Sequence, residues 1–178
     1  TITIDYIVFI DKTVNISKNI TLKGKGTLLR EEGFKDKMLE ISSNANVTME
    51  EITIDGNNIA DSTGSAVYIN KEASFTINSG IIRNNRANSG GGVYNEGTFK
   101  MNGGDVSKNT AIKSGGGVYN DGTFDMVKGT IIWNKAESYS GGISNQSIFT
   151  MTGGTITGNS SDKDSGGVGN SGSFTMVG

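Results

Sequence analysis

Gly91-Gly92-Val93-Tyr94-Asn95 returns as Gly116-Gly117-Val118-Tyr119-Asn120. It comes back in looser form as Gly141-Gly142-Ile143-Ser144-Asn145 and Gly166-Gly167-Val168-Gly169-Asn170. Each copy is followed by the same apolar pair: Phe99 and Met101, Phe124 and Met126, Phe149 and Met151, Phe174 and Met176. Neighbouring copies are 25 residues apart throughout. A fixed period of that length leaves few architectures open, because so short a unit cannot enclose a core alone and must stack on its neighbours.

Inside one period, apolar residues alternate with small or polar ones in three places: Gly91, Val93, Asn95; then Phe99, Met101, Gly103; then Val106 leading to Asn109. Spacing by two is the signature of a strand with one face turned inward. Gly and Asn punctuate the joins, and no stretch of this half has the i, i+3, i+4, i+7 spacing of a helix. The expected fold is therefore all-β: one parallel β-helix with three short strands per coil, about 25 residues per coil, in three sheets. Gly91 shares the inward face of Val93, where the coil leaves no room for a Cβ; Gly92 is expected to supply a permissive backbone.

Composition removes several function classes. At 178 residues the chain forms one domain of six or seven coils. It has no Cys and no His, which excludes disulfides, thiol chemistry and the commonest general base and metal ligand. A formal charge of −2 with scattered Lys and Arg gives no electrostatic footprint for nucleic acid. No apolar run is long enough for a membrane helix, so direct membrane insertion is not expected. No signal peptide is visible, and Thr1 is not a native start, so the chain is read as an excised piece of a longer protein.

Residues 1–65 are irregular coils of the same kind, and residues 66–178 are the regular repeats. Val47 and Met49 stand 28 residues before Phe75 and Ile77, Ile54 stands 28 before Ile82, and Ile20 and Leu22 stand 27 before Val47 and Met49. Glu31 to Lys37 reads as a charged, flexible loop. The segment from Ile2 to Ile10 is expected to cover the open N-terminal end, since terminal repeats of solenoids are atypical. The last copy stops at Gly178, just after its Phe-x-Met strand, which leaves strand edges for end-to-end association through the C-terminal coil.

The run Asn109-Thr110-Ala111, Gly115-Gly116-Gly117-Val118-Tyr119-Asn120, Phe124-x-Met126 resembles the right-handed parallel β-helix repeats of bacterial cell-surface, adhesin-like proteins of Gram-positive and other gut-associated microbes. The glycine pair and the Asn-x-Ala element are also similar to the repeats of polymorphic outer-membrane adhesins. The likeness is clear over residues 66–178 and fainter over 1–65. It implies the fold, its right hand and an extracellular setting; it carries no ligand residues with it. Polysaccharide lyases and galacturonases of β-helix fold use clustered aspartates, a basic residue or a histidine, and no such cluster is recognisable here.

Four kinds of residue are candidates for a site, each beside a structural alternative. Tyr68, Tyr94 and Tyr119 share one position on successive coils, next to the inward Val67, Val93 and Val118, and should stack outward as a platform for sugar rings or as a stabilising aromatic ladder. Ser144 and Gly169 end that row. Trp133 is the only Trp and aligns with Asn84, Lys108 and Gly158; it is either an exposed anchor for a partner or a ring lying over neighbouring side chains. Glu96 and Asp121 stand one coil apart and could contribute to a Ca²⁺ site, which needs six to eight oxygens, or be solvated turn residues. The rows Asn95, Asn120, Asn145, Asn170 and Asn85, Asn109, Asn134, Asn159 are expected to be structural ladders.

The function expected from these residues is a non-catalytic extracellular or cell-surface adhesin-like module, with glycan or surface protein of a host or the environment as partner and no cofactor. The alternative is a pectate-lyase-like enzyme acting on polysaccharide, with carboxylates or Arg83 and Arg86 at work on one face. An ice-binding threonine array is discounted, because Thr98 and Thr123 are followed by Ile148 and Ser173.

Overall fold

Alternating apolar residues turn one face of each segment inward, and the repeat period brings like segments together as parallel neighbours. The computed structural model describes residues 1–177; Gly178, where the last copy closes, lies outside them. Among the described residues there are strands and turns and no helix, wound as a β-solenoid of about 7 turns with roughly 25 residues per turn. The paired strands are parallel.

The register is the one the repeats dictate. Phe75 pairs with Phe99, Phe99 with Phe124, Phe124 with Phe149, and Phe149 with Phe174. Their rings form one interior column with centroids 5.9, 4.7, 4.8 and 4.7 Å apart. Met49, Ile77, Met101 and Met126 are fully buried in a second column, and Ile54, Ile82, Val106 and Ile131 in a third. The longer early coils join these columns, since Ile20 pairs with Val47 and Val47 with Phe75.

Three sheets form, but their membership differs from the sequence expectation. The Val-x-Asn strands make a seven-stranded sheet running through Val14–Ile16, Leu39–Ile41, Val67–Ile69, Val93–Asn95, Val118–Asn120, Ile143–Asn145 and Val168–Asn170. The Phe-x-Met segment and the Val106 segment are one continuous strand, Thr98–Ser107, and again Thr123–Ile132, so two expected sheets merge into a single 13-stranded one. A further short strand, Arg86–Ser89, Thr110–Ser114, Lys135–Ala136 and Ser160–Ser161, builds a four-stranded sheet after the second asparagine row.

Both asparagine rows are hydrogen-bonded ladders through the interior edge. Asn95 Nδ2 donates to Asn120 Oδ1 at 2.6 Å, Asn120 to Asn145 at 2.7 Å, and Asn145 to Asn170 at 2.6 Å. Asn85, Asn109, Asn134 and Asn159 repeat the pattern at 3.0, 3.1 and 2.9 Å. Each amide also donates to backbone: Asn109 Nδ2 reaches the Ile82 carbonyl at 3.0 Å, and Asn134 Nδ2 the Val106 carbonyl at 2.9 Å. A buried polar group is tolerated when its donors and acceptors are met; here each rung meets the next, and the Oδ1 of Asn85, which heads its row, is left without a partner among the described residues.

The glycine pair divides its labour otherwise than expected. A Cβ on Gly91 would collide with the carbonyls of Gly116 and Thr110, as anticipated. Gly92 is sterically excluded too, since its Cβ would lie 2.8 Å from the Gly117 carbonyl oxygen and 2.8 Å from Val106 Cγ1. The left-handed backbone belongs one residue earlier, to Gly90 at φ 61° and Gly115 at φ 65°.

The N-terminal segment is also placed differently. Ile2–Thr3 pairs with Ile20–Lys23, and Ile7–Ile10 pairs with Thr27–Arg30. These strands continue the ladders as a first rung rather than lying across the end. Ile2, Val8 and Val14 are therefore exposed beside a largely apolar recess of about 480 Å³. Phe174, Met176 and Val177 are exposed at the other end. The 31–37 loop is tied down by Arg30, whose fully buried guanidinium donates to the carbonyls of Phe34, Asp36 and Gly64. Burial lowers the Arg30 pKa to about 10, with the nearby Asp36 charge opposing that shift.

Candidate functional site

The seven-stranded sheet positions the tyrosines. Val67, Val93 and Val118 point inward and are fully buried, so the residues after them must face out. Tyr68 pairs with Tyr94, and Tyr94 with Tyr119. Ring centroids are 4.9 and 4.8 Å apart with interplanar angles of 9° and 25°. All three side chains are half-buried.

The structure brings the expected metal candidates to this row. Glu96 and Asp121 follow the Val-Tyr-Asn strands, and their charges act on the phenols of the row. Among the described residues no group of three or more His, Cys, Asp or Glu gathers to hold a metal ion. Here the two carboxylates sit in the bends that follow the strands, and neither lines the cavities beside the row. Lys37 Nζ lies over the Tyr68 ring, 4.5 Å from its centroid, and also pairs with Glu40 at 3.1 Å. Lys113 lines both cavities.

Two cavities open on this face. One of about 260 Å³ is lined by Tyr68, Tyr94, Lys37 and Lys113. The other, of about 540 Å³, is lined by Tyr119, Tyr139, Ser144, Gln146 and Asp164. Both share Ser89 and Lys113, so they adjoin along the side of the tyrosine row.

All three phenols have pKa values pushed above the ordinary 10.0. Burial is the largest cause at each. Interaction with the Glu96 carboxylate adds to it at Tyr68; Tyr119, Glu96 and Asp121 add at Tyr94; and Asp121 adds at Tyr119. The folded chain thus holds these protons more tightly than the unfolded chain, which stabilises the fold below about pH 10. Above that pH the unfolded state ionises first and the contribution is withdrawn. The urea midpoint should fall steadily from about pH 10 upward, and Tyr94→Phe should make the fall shallower. A midpoint that is flat across that range in the unaltered chain would contradict the coupling of these phenols to the fold.

Trp133 is not part of this face. It occupies a turn with φ 55°, in the column where Asn84, Lys108 and Gly158 also have positive φ. Its ring lies over Gly158, where a Cβ would come within 2.6 Å of Trp133 Cδ1, and Lys108 Nζ is 5.8 Å from the ring centroid. The indole is 59% exposed, so it covers its neighbours and still shows a free side. Arg83 pairs with Asp55 at 2.8 Å and Arg86 with Glu137 at 2.7 Å, which commits both cations of the enzymatic alternative to ion pairs.

Sequence reasoning did not bring Tyr139 and Asp164 to this face. The signal was present: Ser89, Ser114, Tyr139 and Asp164 are spaced by 25, just ahead of each glycine pair. The backbone confirms that column, with Ser89 paired to Ser114 and Ser114 bridged to Tyr139. Comparison of the chain with protein-family models, with curated proteins and with solved structures finds no match.

Proposed function

We propose that this chain is a non-catalytic, extracellular surface module that binds glycans along its tyrosine face. The observation that carries the reading is the groove itself: half-buried aromatic rings in register over three coils, flanked by two adjoining cavities lined with lysine, amide and carboxylate side chains. Saccharides need this mixture, because a pyranose has apolar C–H surface and hydroxyls that must each find a partner once desolvated. The solenoid holds these groups at a fixed spacing, so weak contacts can repeat along one rigid rod. Likeness of the repeats to surface adhesins supports the extracellular setting. The engagement of Arg83 and Arg86 in ion pairs favours binding over polysaccharide cleavage.

A screen against immobilised glycans and matrix proteins tests the reading. Saccharide binding is expected, with a loss of at least about tenfold in a Tyr94→Ala/Tyr119→Ala variant. Equal binding by that variant would remove the tyrosine face from consideration. Cleavage of pectin-like polymers, abolished by altering Asp or Arg residues, would make the chain an enzyme instead.

A further inference from the structure

We infer that the saccharide contact lies at the end of the tyrosine stack, where Tyr119, Tyr139 and the polar side chains around them form a pocket for a neutral pyranose. This rests on the glycan-binding reading above and adds to it a place and a chemical class. Nearly parallel rings with centroids 4.8 and 4.9 Å apart cannot lie flat beside one another on the sheet, because a ring's own width fills that distance. They lie face over face. The faces between them are therefore taken, and along its length the row offers ring edges and hydroxyls. A pyranose packs its C–H surface on an aromatic face, whose negative quadrupole attracts the polarised hydrogens. Such a face is available only where the stack stops.

The two ends differ. At Tyr68, Lys37 covers the ring, 4.5 Å from its centroid. At Tyr119 the next two register positions hold Ser144 and Gly169, so this ring has an aromatic neighbour on one side only. Its other side opens on the cavity of about 540 Å³, within the usual range of about 300–1,000 Å³ for small-molecule sites.

Tyr139 supplies a second ring. Its backbone is fixed, with its N–H donating to the Lys113 carbonyl at 2.7 Å and its carbonyl accepting from Gly115 at 3.2 Å. Its side chain is 58% exposed and lines the same cavity. Gln146 and Asp164 contribute amide and carboxylate groups for hydroxyls, while the Asn170 amide stays held in its ladder. Lys113 and Asp164 are the charged residues of the lining, one of each sign, which matches an uncharged sugar better than an acidic one.

The test uses the whole chain and a panel of neutral methyl glycosides and disaccharides, with uronic acids alongside, read by saturation-transfer NMR and calorimetry. The unaltered chain is expected to bind neutral sugars. Tyr139→Ala, at an exposed position, should keep the melting temperature and lose at least about tenfold in affinity. Ser144→Tyr would continue the stack and fill the pocket with a fourth ring, displacing the Gln146 amide that donates to Ser144 Oγ at 3.0 Å, and binding should vanish. Neutral-sugar binding within about twofold of the unaltered chain in Tyr139→Ala overturns this inference and leaves the groove reading standing. A preference for uronic acids over neutral sugars also overturns it. If the unaltered chain binds no saccharide at all, the glycan reading falls and this inference with it.

Discussion

Phe124→Ala is expected to destabilise the chain by about 3–5 kcal/mol, the usual cost of deleting a fully buried aromatic ring. Phe124 has zero exposure, with Phe99 stacked 4.7 Å to one side and Phe149 4.8 Å to the other. Removing it opens a gap between two rings, Phe99 and Phe149, that the ladders hold two rungs apart. The walls cannot collapse to heal the cavity, because the Phe124 strand is hydrogen-bonded to both neighbours. Phe174→Ala is the internal comparison. That ring is 37% exposed with a neighbour on one side, and its loss should cost about 1–2 kcal/mol. Urea unfolding measures both, and a change in midpoint with an unchanged slope marks a change in stability. A Phe124→Ala cost below about 1 kcal/mol would mean the rings do not share a packed column.

Gly142→Ala should cost about 3 kcal/mol while Gly167→Ala, the same position one coil later, should stay within about 0.5 kcal/mol. Neither glycine has a positive φ, so the backbone would accept alanine at either place. The difference is room. A Cβ on Gly142 would lie 2.5 Å from the Gly167 carbonyl oxygen and 3.0 Å from Asn159 Nδ2. One on Gly167 meets nothing within 4 Å. Relief at Gly142 must move a carbonyl that accepts in the ladder, where the Ile143 N–H donates to Gly167 at 2.9 Å, or displace the Asn159 rung. Both variants are read from thermal midpoints, and equal stability of the two would show that the glycine pair is not a spacing device.

Most of the fold was legible because it is written several times over. The 25-residue spacing of Phe99, Phe124, Phe149 and Phe174 is also their pairing register, and the 27- and 28-residue offsets of Ile20, Val47 and Phe75 place the irregular coils in the same column. What escaped was whatever carried little apolar contrast. The short strand Lys135–Ala136 has only one inward apolar residue, Ala136, which is too weak an alternation to be read as a strand. The join of the Phe-x-Met and Val106 segments into Thr98–Ser107 runs through Asn102, Gly103 and Gly104, a sequence that reads as a turn. Ile2 to Ile10 carries apolar β-type runs, which read the same for a first rung and for a covering segment.

The candidate site was legible only in part. The tyrosine row followed from its position beside inward valines, while Glu96 and Asp121 were legible only as equivalent turn positions, and the action of their charges on the phenols came from the structure. Tyr139 and Asp164 occupy a column otherwise filled by Ser89 and Ser114, so no apolar or aromatic residue repeats there to draw attention. Buried Arg30 was invisible for a related reason: its carbonyl partners, Phe34, Asp36 and Gly64, belong to loops outside the period.

Along the coil axis, then, the sequence by itself determined which residues meet, because translation by one coil superposes equal positions and demands nothing beyond counting. Around the coil, where strands turn corners and side chains from different sheets converge, only the tertiary structure decided: whether two segments run on as one strand, which way stacked rings present themselves, and what stands opposite Tyr119. Those outcomes depend on the path of the backbone between strands, and that path is settled by steric exclusion and hydrogen bonds among residues the period does not relate.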